Sequence, residues 1–215
     1  MRKILIFTSL LPLLAAPTVA QEPAVSTAPA STVSYEEVLT NAYAADEPGA
    51  VALVARGEEV QYRGASGMAS LELGVPLQPD MVFELGSITK QFTAAAILML
   101  AKEGELSLDD PLARFLPDYP NGDSITVEHL LTHTSGVVNY TDIPGYIDEA
   151  RSDIGVEELI DVFRDQPLEF EPGERFAYSN SGYVLLGAII EKASGKDYAR
   201  FIEERIFQPL GMENS

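Results

Sequence analysis

Cysteine is absent from all 215 residues, which excludes a disulfide, a thiol nucleophile and any metal site built on sulfur. Histidine is almost as scarce. His129 and His133 are its two occurrences, too few for a His-rich metal centre, and although their i, i+4 spacing suits a metal, no third ligand is evident. Basic side chains are also in deficit, 14 against 33 acidic ones, for a net charge of −19. A chain this acidic is a poor match for nucleic acid or an anionic membrane surface, and it says nothing about fold. No internal repeat is visible. What remains is 46% hydrophobic, enough to bury a real core.

The N-terminus reads as an export signal. Arg2 and Lys3 form the charged region, Ile4 to Ala16 an apolar stretch, and Thr18-Val-Ala20 a small-residue cleavage site. The apolar stretch is too short to span a bilayer, and Pro12 interrupts it. Removing residues 1–20 leaves 12 basic and 33 acidic side chains, a net charge of −21. The expectation is a periplasmic or secreted protein with no membrane span after signal removal. Residues 21–33, rich in Pro, Ala, Ser and Thr, read as a disordered linker.

Order is expected from Ser34, where Ser34-Tyr-Glu-Glu37 fits a capping box and opens a helix. Ala50–Ala55 and Val60–Ser66, joined by Arg56-Gly-Glu-Glu59, predict an antiparallel hairpin, followed by a Gly- and Pro-punctuated connection to Pro79. Helices are then expected from Ser87 to Gly104, across Ser107–Leu116 with Asp109 or Asp110 as opener, over Val127–Thr132 behind Thr126, and over Val156–Arg164. Two more are expected, Gly182–Ile190 stopped by Gly195, and one through Phe207 behind Asp197. The fold class is α+β, a mostly helical part carrying an N-terminal hairpin. Two strands alone are marginal, so the hairpin needs a helix or further strands upon it.

The stretch that carries chemistry is Gly86-Ser-Ile-Thr-Lys90, running into the apolar Gln91–Lys102. Residues i and i+3 share a helix face, so Lys90 stands one turn behind Ser87 with its ammonium near the hydroxyl. A serine hydroxyl needs such help to act as a nucleophile, and a helix N-terminus adds free N–H groups and partial positive charge. Ser-x-x-Lys alone recurs about once in a couple of hundred residues of ordinary composition, so it decides nothing by itself. Tyr178-Ser-Asn180 supplies what the pair lacks. A phenol beside an ammonium ionises more easily, making Tyr178 a candidate base and acid, and Asn180 can hold Lys90 and a substrate amide. Tyr119-Pro-Asn121 offers a rival Tyr-x-Asn, but it opens no helix, whereas Tyr178 leads straight into one.

Ser87-Ile-Thr-Lys90, Leu130-Leu-Thr-His-Thr-Ser-Gly136 and Tyr178-Ser-Asn180, in that order, resemble the serine beta-lactamase-related superfamily, in its branch of class C beta-lactamases, serine DD-peptidases and esterases. Pro209-Leu-Gly-Met212 is similar to family text as well. The resemblance spans residues 34–215 and implies a beta-lactamase/transpeptidase-like fold. It further implies a serine hydrolase that forms an acyl-enzyme on amide, lactam or ester carbonyls of a small-molecule or peptide substrate. Ser87 would be acylated, Lys90 and Tyr178 would manage the proton, and Asn180 would bind substrate, with no cofactor and no metal. His133 would be structural. The family's third element, a Lys- or His-x-Gly on a sheet-edge strand, does not follow Tyr178. The resemblance therefore implies missing C-terminal strands of the central sheet, and leaves open a non-catalytic or fragmentary member. Export is directly testable: mass spectrometry of protein secreted by a bacterial host should find a mature chain starting near Gln21, and retention of Met1–Ala20 would exclude a cleaved signal.

Overall fold

The computed structural model describes residues 33–146 and 154–215; the expected export signal and all but residue 33 of the expected linker lie outside them. Two compact units divide the chain, one ending at Met81 and the other spanning Val82–Ser215.

The first unit opens with α1 (Tyr35–Ala42), capped as expected: the Ser34 hydroxyl accepts from Glu37 N–H, and the Glu37 carboxylate accepts from Ser34 N–H. Strands β1 (Ala50–Arg56) and β2 (Glu59–Ser66) form the antiparallel hairpin, with a register shift at Val54/Ala55. The Tyr62 hydroxyl donates to Glu36 at 2.6 Å, tying α1 to β2. Leu53 and Val60 are left exposed. The punctuated connection is more ordered than expected, because β3 (Met68–Ser70) and β4 (Val75–Pro76) pair across it as a second two-stranded ribbon.

The second unit is helical. A single 3-10 turn, Gly86–Ile88, runs into α2 (Thr89–Glu103), then α3 (Val127–Leu131), α4 (Val156–Arg164) and α5 (Asn180–Ser194) follow. The chain continues helically through α6 (Tyr198–Ile202), a π-turn at Glu203–Phe207 and a last turn at Gln208–Leu210. Gly104 and Gly195 end α2 and α5 in the left-handed conformation (φ 81° and 67°), which a side chain would resist. The expected helix over Ser107–Leu116 is not there, only a 3-10 turn at Leu112–Arg114. Pro111 holds its backbone extended and bridges Thr126, and the donors that a helix would need are spent elsewhere: Leu112 N–H goes to Ile125 C=O at 2.7 Å and Ala113 N–H to Gly122 C=O at 3.1 Å. Asp110 opens no helix; its carboxylate accepts from Ser107 N–H and pairs with Arg114.

α5 is the centre of this unit, with Leu185, Leu186, Ile189 and Ile190 fully buried. Against it pack Ile97 and Leu100 of α2, Leu130 of α3, Ile160 and Phe163 of α4, and Phe201 of α6. Ile88, in the turn before α2, and Leu98 on α2 are more than half exposed. Truncating Ile189 to Ala removes three buried carbons from the best-packed layer and should cost about 2–5 kcal/mol, read as a lowered urea midpoint of the helical circular-dichroism signal; an unchanged midpoint would deny α5 its central place.

Candidate active site

Ser87 falls within the 3-10 turn with helical backbone and does not cap the helix it precedes. Its hydroxyl is therefore spared from satisfying backbone donors. It is exposed, and it lies 2.6 Å from the Tyr178 hydroxyl and 3.1 Å from Lys90 Nζ, which donates to it. The one-turn offset between Ser87 and Lys90 produces the second distance; the first needs a segment ninety-one residues away.

Lys90 is half-buried at the start of α2, where its ammonium must find acceptors. It donates to Asn180 Oδ1 at 2.7 Å and sits 4.8 Å and 5.5 Å from the ring centroids of Tyr178 and Tyr183. Carbonyl, hydroxyl and two π-faces together replace water. Asn180 is the first residue of α5, whose N-cap is Ser179: the Ser179 hydroxyl accepts from Gly182 N–H at 3.2 Å. With the capping done by Ser179, the Asn180 amide is left to face Lys90.

Tyr178 is positioned by His133. The two rings stack at 4.6 Å with a 32° tilt, and His133 also meets Tyr183 at 5.0 Å. Its Nδ1 accepts from Ser179 N–H at 3.2 Å, and its carbonyl accepts from Ala177 N–H at 2.9 Å. The turn holding His133 has two left-handed residues, His133 (φ 58°) and Gly136 (φ 75°). A Cβ on Gly136 would lie 2.1 Å from the Phe170 carbonyl oxygen, so only glycine lets the turn lie this close to the Phe170 backbone. His129 is engaged separately, its Nδ1 accepting from Thr126 N–H in the cap of α3, so the two imidazoles serve the backbone at different places.

The phenols divide by environment. Burial raises Tyr183 and Tyr140 above the ordinary range, with Tyr178 adding to both. For Tyr178 burial also pushes upward, but its interactions with Lys90 and Ser87 and the Lys90 charge outweigh it, and the phenol is held below its ordinary value. Tyr119, the rival, is buried and raised by that burial, with Arg164 opposing. The structure thus brings Ser87, Lys90, Tyr178 and Asn180 together, and leaves Tyr119 inside the core. A cavity of about 430 Å³ lies beside Lys90 and Asn180, lined also by Thr93, Val184 and Tyr198.

A group that motif reading passed over also reaches the site. Asn139 and Thr141, in and beside a 3-10 turn at Tyr140–Asp142 where no helix or strand is expected, bond to the start of α5. The polar run Asn139-Tyr-Thr-Asp142 just after a Gly turn was the available signal, since such residues build local side-chain turns.

The beta-lactamase family model matches residues 36–215. The chain belongs to the beta-lactamase family. Among its relatives, penicillin-binding protein 4* of Bacillus subtilis (strain 168) is 39% identical over 169 residues, covering 76% of this chain and 36% of the relative. Esterase EstB of Burkholderia gladioli is 39% identical over 183 residues, covering 77% and 46%. Among solved structures, a D-stereospecific amidohydrolase from Streptomyces sp. superposes with a TM-score of 0.71 at 34% identity, covering 82% of this chain and 53% of that one. This family member therefore spans about a third to a half of the length of such relatives, and its α+β, beta-lactamase/transpeptidase-like class agrees with theirs. Within it, the electrostatic arrangement makes a direct claim. In protein labelled at tyrosine ¹³Cζ, the Tyr178 resonance should titrate below the ordinary phenol value of about 10, and Lys90→Met should move it upward; a titration indifferent to that substitution would show that Lys90 does not act on the phenol.

Proposed function

We propose that this chain carries the nucleophilic centre of a serine hydrolase working through an acyl-enzyme on amide, lactam or ester carbonyls. The supporting observation is the Ser87 hydroxyl held between the Tyr178 phenol at 2.6 Å and the Lys90 ammonium at 3.1 Å. The names of the relatives, a penicillin-binding protein, an esterase and a D-stereospecific amidohydrolase, fit carbonyl chemistry of this breadth.

In this reading Tyr178, ionised in the field of Lys90, takes the Ser87 proton as Oγ bonds to the carbonyl carbon. The carbonyl π-pair moves onto oxygen, where the Ser87 N–H, in a first turn with no intrahelical acceptor, is placed to meet it. The tetrahedral species collapses by breaking the bond to nitrogen or to the alcohol oxygen, and the Tyr178 proton passes to that leaving group. Water then attacks the Ser87 ester, giving its proton to Tyr178, and the acid leaves as Oγ is reprotonated. Lys90 stays charged throughout, its place secured by Asn180 Oδ1. Asn180 Nδ2 gives one hydrogen to Thr141, and its other hydrogen can meet a substrate amide carbonyl. Export to the periplasm or beyond, proposed from the N-terminal residues, would place the site where cell-wall peptides and small esters occur.

Activated phosphonates and a fluorescent penicillin test the proposal. The chain should become covalently labelled, Ser87→Ala should abolish labelling, and Tyr178→Phe should slow it by about 10²–10⁴-fold, the usual contribution of one positioned acid–base group. No labelling of folded protein would favour the other reading, a family member that keeps the scaffold without the chemistry.

A further inference from the structure

Asn180 can hold Lys90 only if its amide presents oxygen, not nitrogen, to the ammonium. Nothing within α5 enforces that choice, since a helix-start side chain rotates freely unless something outside grips it. The 3-10 turn Tyr140–Asp142 and the Asn139 that precedes it do so. Asn139 Oδ1 accepts from Asn180 N–H at 3.0 Å, a first-turn donor with no acceptor inside the helix. Asn139 Nδ2 donates to Thr141 Oγ1 at 2.7 Å and to Asp142 Oδ2 at 2.9 Å. Thr141 Oγ1 in turn lies 3.4 Å from Asn180 Nδ2, which donates to it. One asparagine thus fixes the backbone of Asn180 directly and the hydroxyl facing its amide nitrogen indirectly. With nitrogen committed to Thr141, oxygen is left for Lys90 at 2.7 Å.

The bonding capacities make this arrangement directional. Asn139 is only 9% exposed and uses its carbonyl oxygen and both amide hydrogens, so reversing its own amide would set nitrogen against Asn180 N–H and oxygen against the Asp142 carboxylate. Reversal of Asn180 would set NH₂ against the ammonium. Each amide therefore has one acceptable orientation, and the two are coupled through Thr141.

We propose that Asn139 is a positioning residue of the site, acting with Thr141 to orient the Asn180 amide and through it the Lys90 ammonium beside Ser87 and Tyr178. A second bond between the same turn and helix, Tyr140 N–H to Ser181 Oγ at 2.9 Å, touches neither amide and supplies the contrast. The proposal rests on the acyl-enzyme reading for its consequence in rate, but not for its consequence in structure, so the test reads both.

The structural readout is the titration of Tyr178 ¹³Cζ, and the chemical one is the rate of phosphonate labelling. Asn139→Ala should release Asn180, loosen Lys90 and shift the phenol titration upward, toward its ordinary value. Labelling should slow by up to about a hundredfold, the cost of misplacing a reacting group by about an ångström. Thr141→Val should reproduce both effects in weaker form, and Thr141→Ser, which keeps the hydroxyl, should restore the wild-type values. Ser181→Ala should lower the melting temperature while leaving the Tyr178 titration in place. If Asn139→Ala fails to fold, the Thr141→Val and Thr141→Ser pair decides. A Tyr178 titration unmoved by these substitutions, or moved equally by Ser181→Ala, overturns the proposal. A titration that follows Asn139 in a chain that never labels leaves the positioning intact and removes the acyl-enzyme reading; labelling with a titration blind to Asn139 does the reverse.

Discussion

A half-buried ammonium dictates the rest of this site. Lys90 lies at the mouth of an apolar helix, and the surroundings must supply what water would have given it. They do so with Asn180 Oδ1, the Ser87 hydroxyl and the faces of Tyr178 and Tyr183. Three of these groups are anchored by another: Asn180 by Asn139, Tyr178 by His133, and Tyr183 by a bond from its hydroxyl to the Leu131 carbonyl at 3.1 Å. Three stretches far apart in the chain thus converge because one charge needs partners. The same charge also holds the Tyr178 phenol low while neighbouring phenols are driven up.

The helices give this convergence its rigidity. α5 starts at the site and runs through the middle of the core, so Asn180 is fixed by Leu185, Leu186, Ile189 and Ile190 many ångströms beyond it. α2 does the same for Lys90 through Ile97 and Leu100. Because the two helices pack on each other, the distance between Lys90 and Asn180 is a property of the core as much as of the two side chains. The loops add orientation to positions the helices already provide.

Much of this was legible beforehand, for identifiable reasons. Ser87 and Lys90 are related by helical periodicity, and the hairpin, α4 and the glycine stops follow from local patterns that neighbouring residues do not contradict. Tyr178 and Asn180 could be picked over Tyr119 and Asn121 because only the former tripeptide leads into an apolar helix. Two things were not legible. Ser107–Leu116 carries helix signals, yet its donors pair with residues 122 and 125, a tertiary choice that no local pattern contains. Asn139 is hidden for a related reason: the polar turn Asn139–Asp142 is a local signal, but the bond from Asn180 N–H, forty-one positions away, leaves no period in the sequence to betray it.

The imidazole of His133 carries a cost that falls due in acid. Because Nδ1 already accepts a hydrogen from Ser179 N–H, the ring must keep its single proton on Nε2, and charging it would forfeit that bond. Burial, followed by the nearby Lys90 charge, lowers its proton affinity. The unfolded chain, with an ordinary imidazole, takes up a proton below about pH 6.5 before the native one does, so folding grows less favourable as pH drops through that window and recovers above it. A platform built to hold a phenol in place is thereby also one that mild acidity weakens.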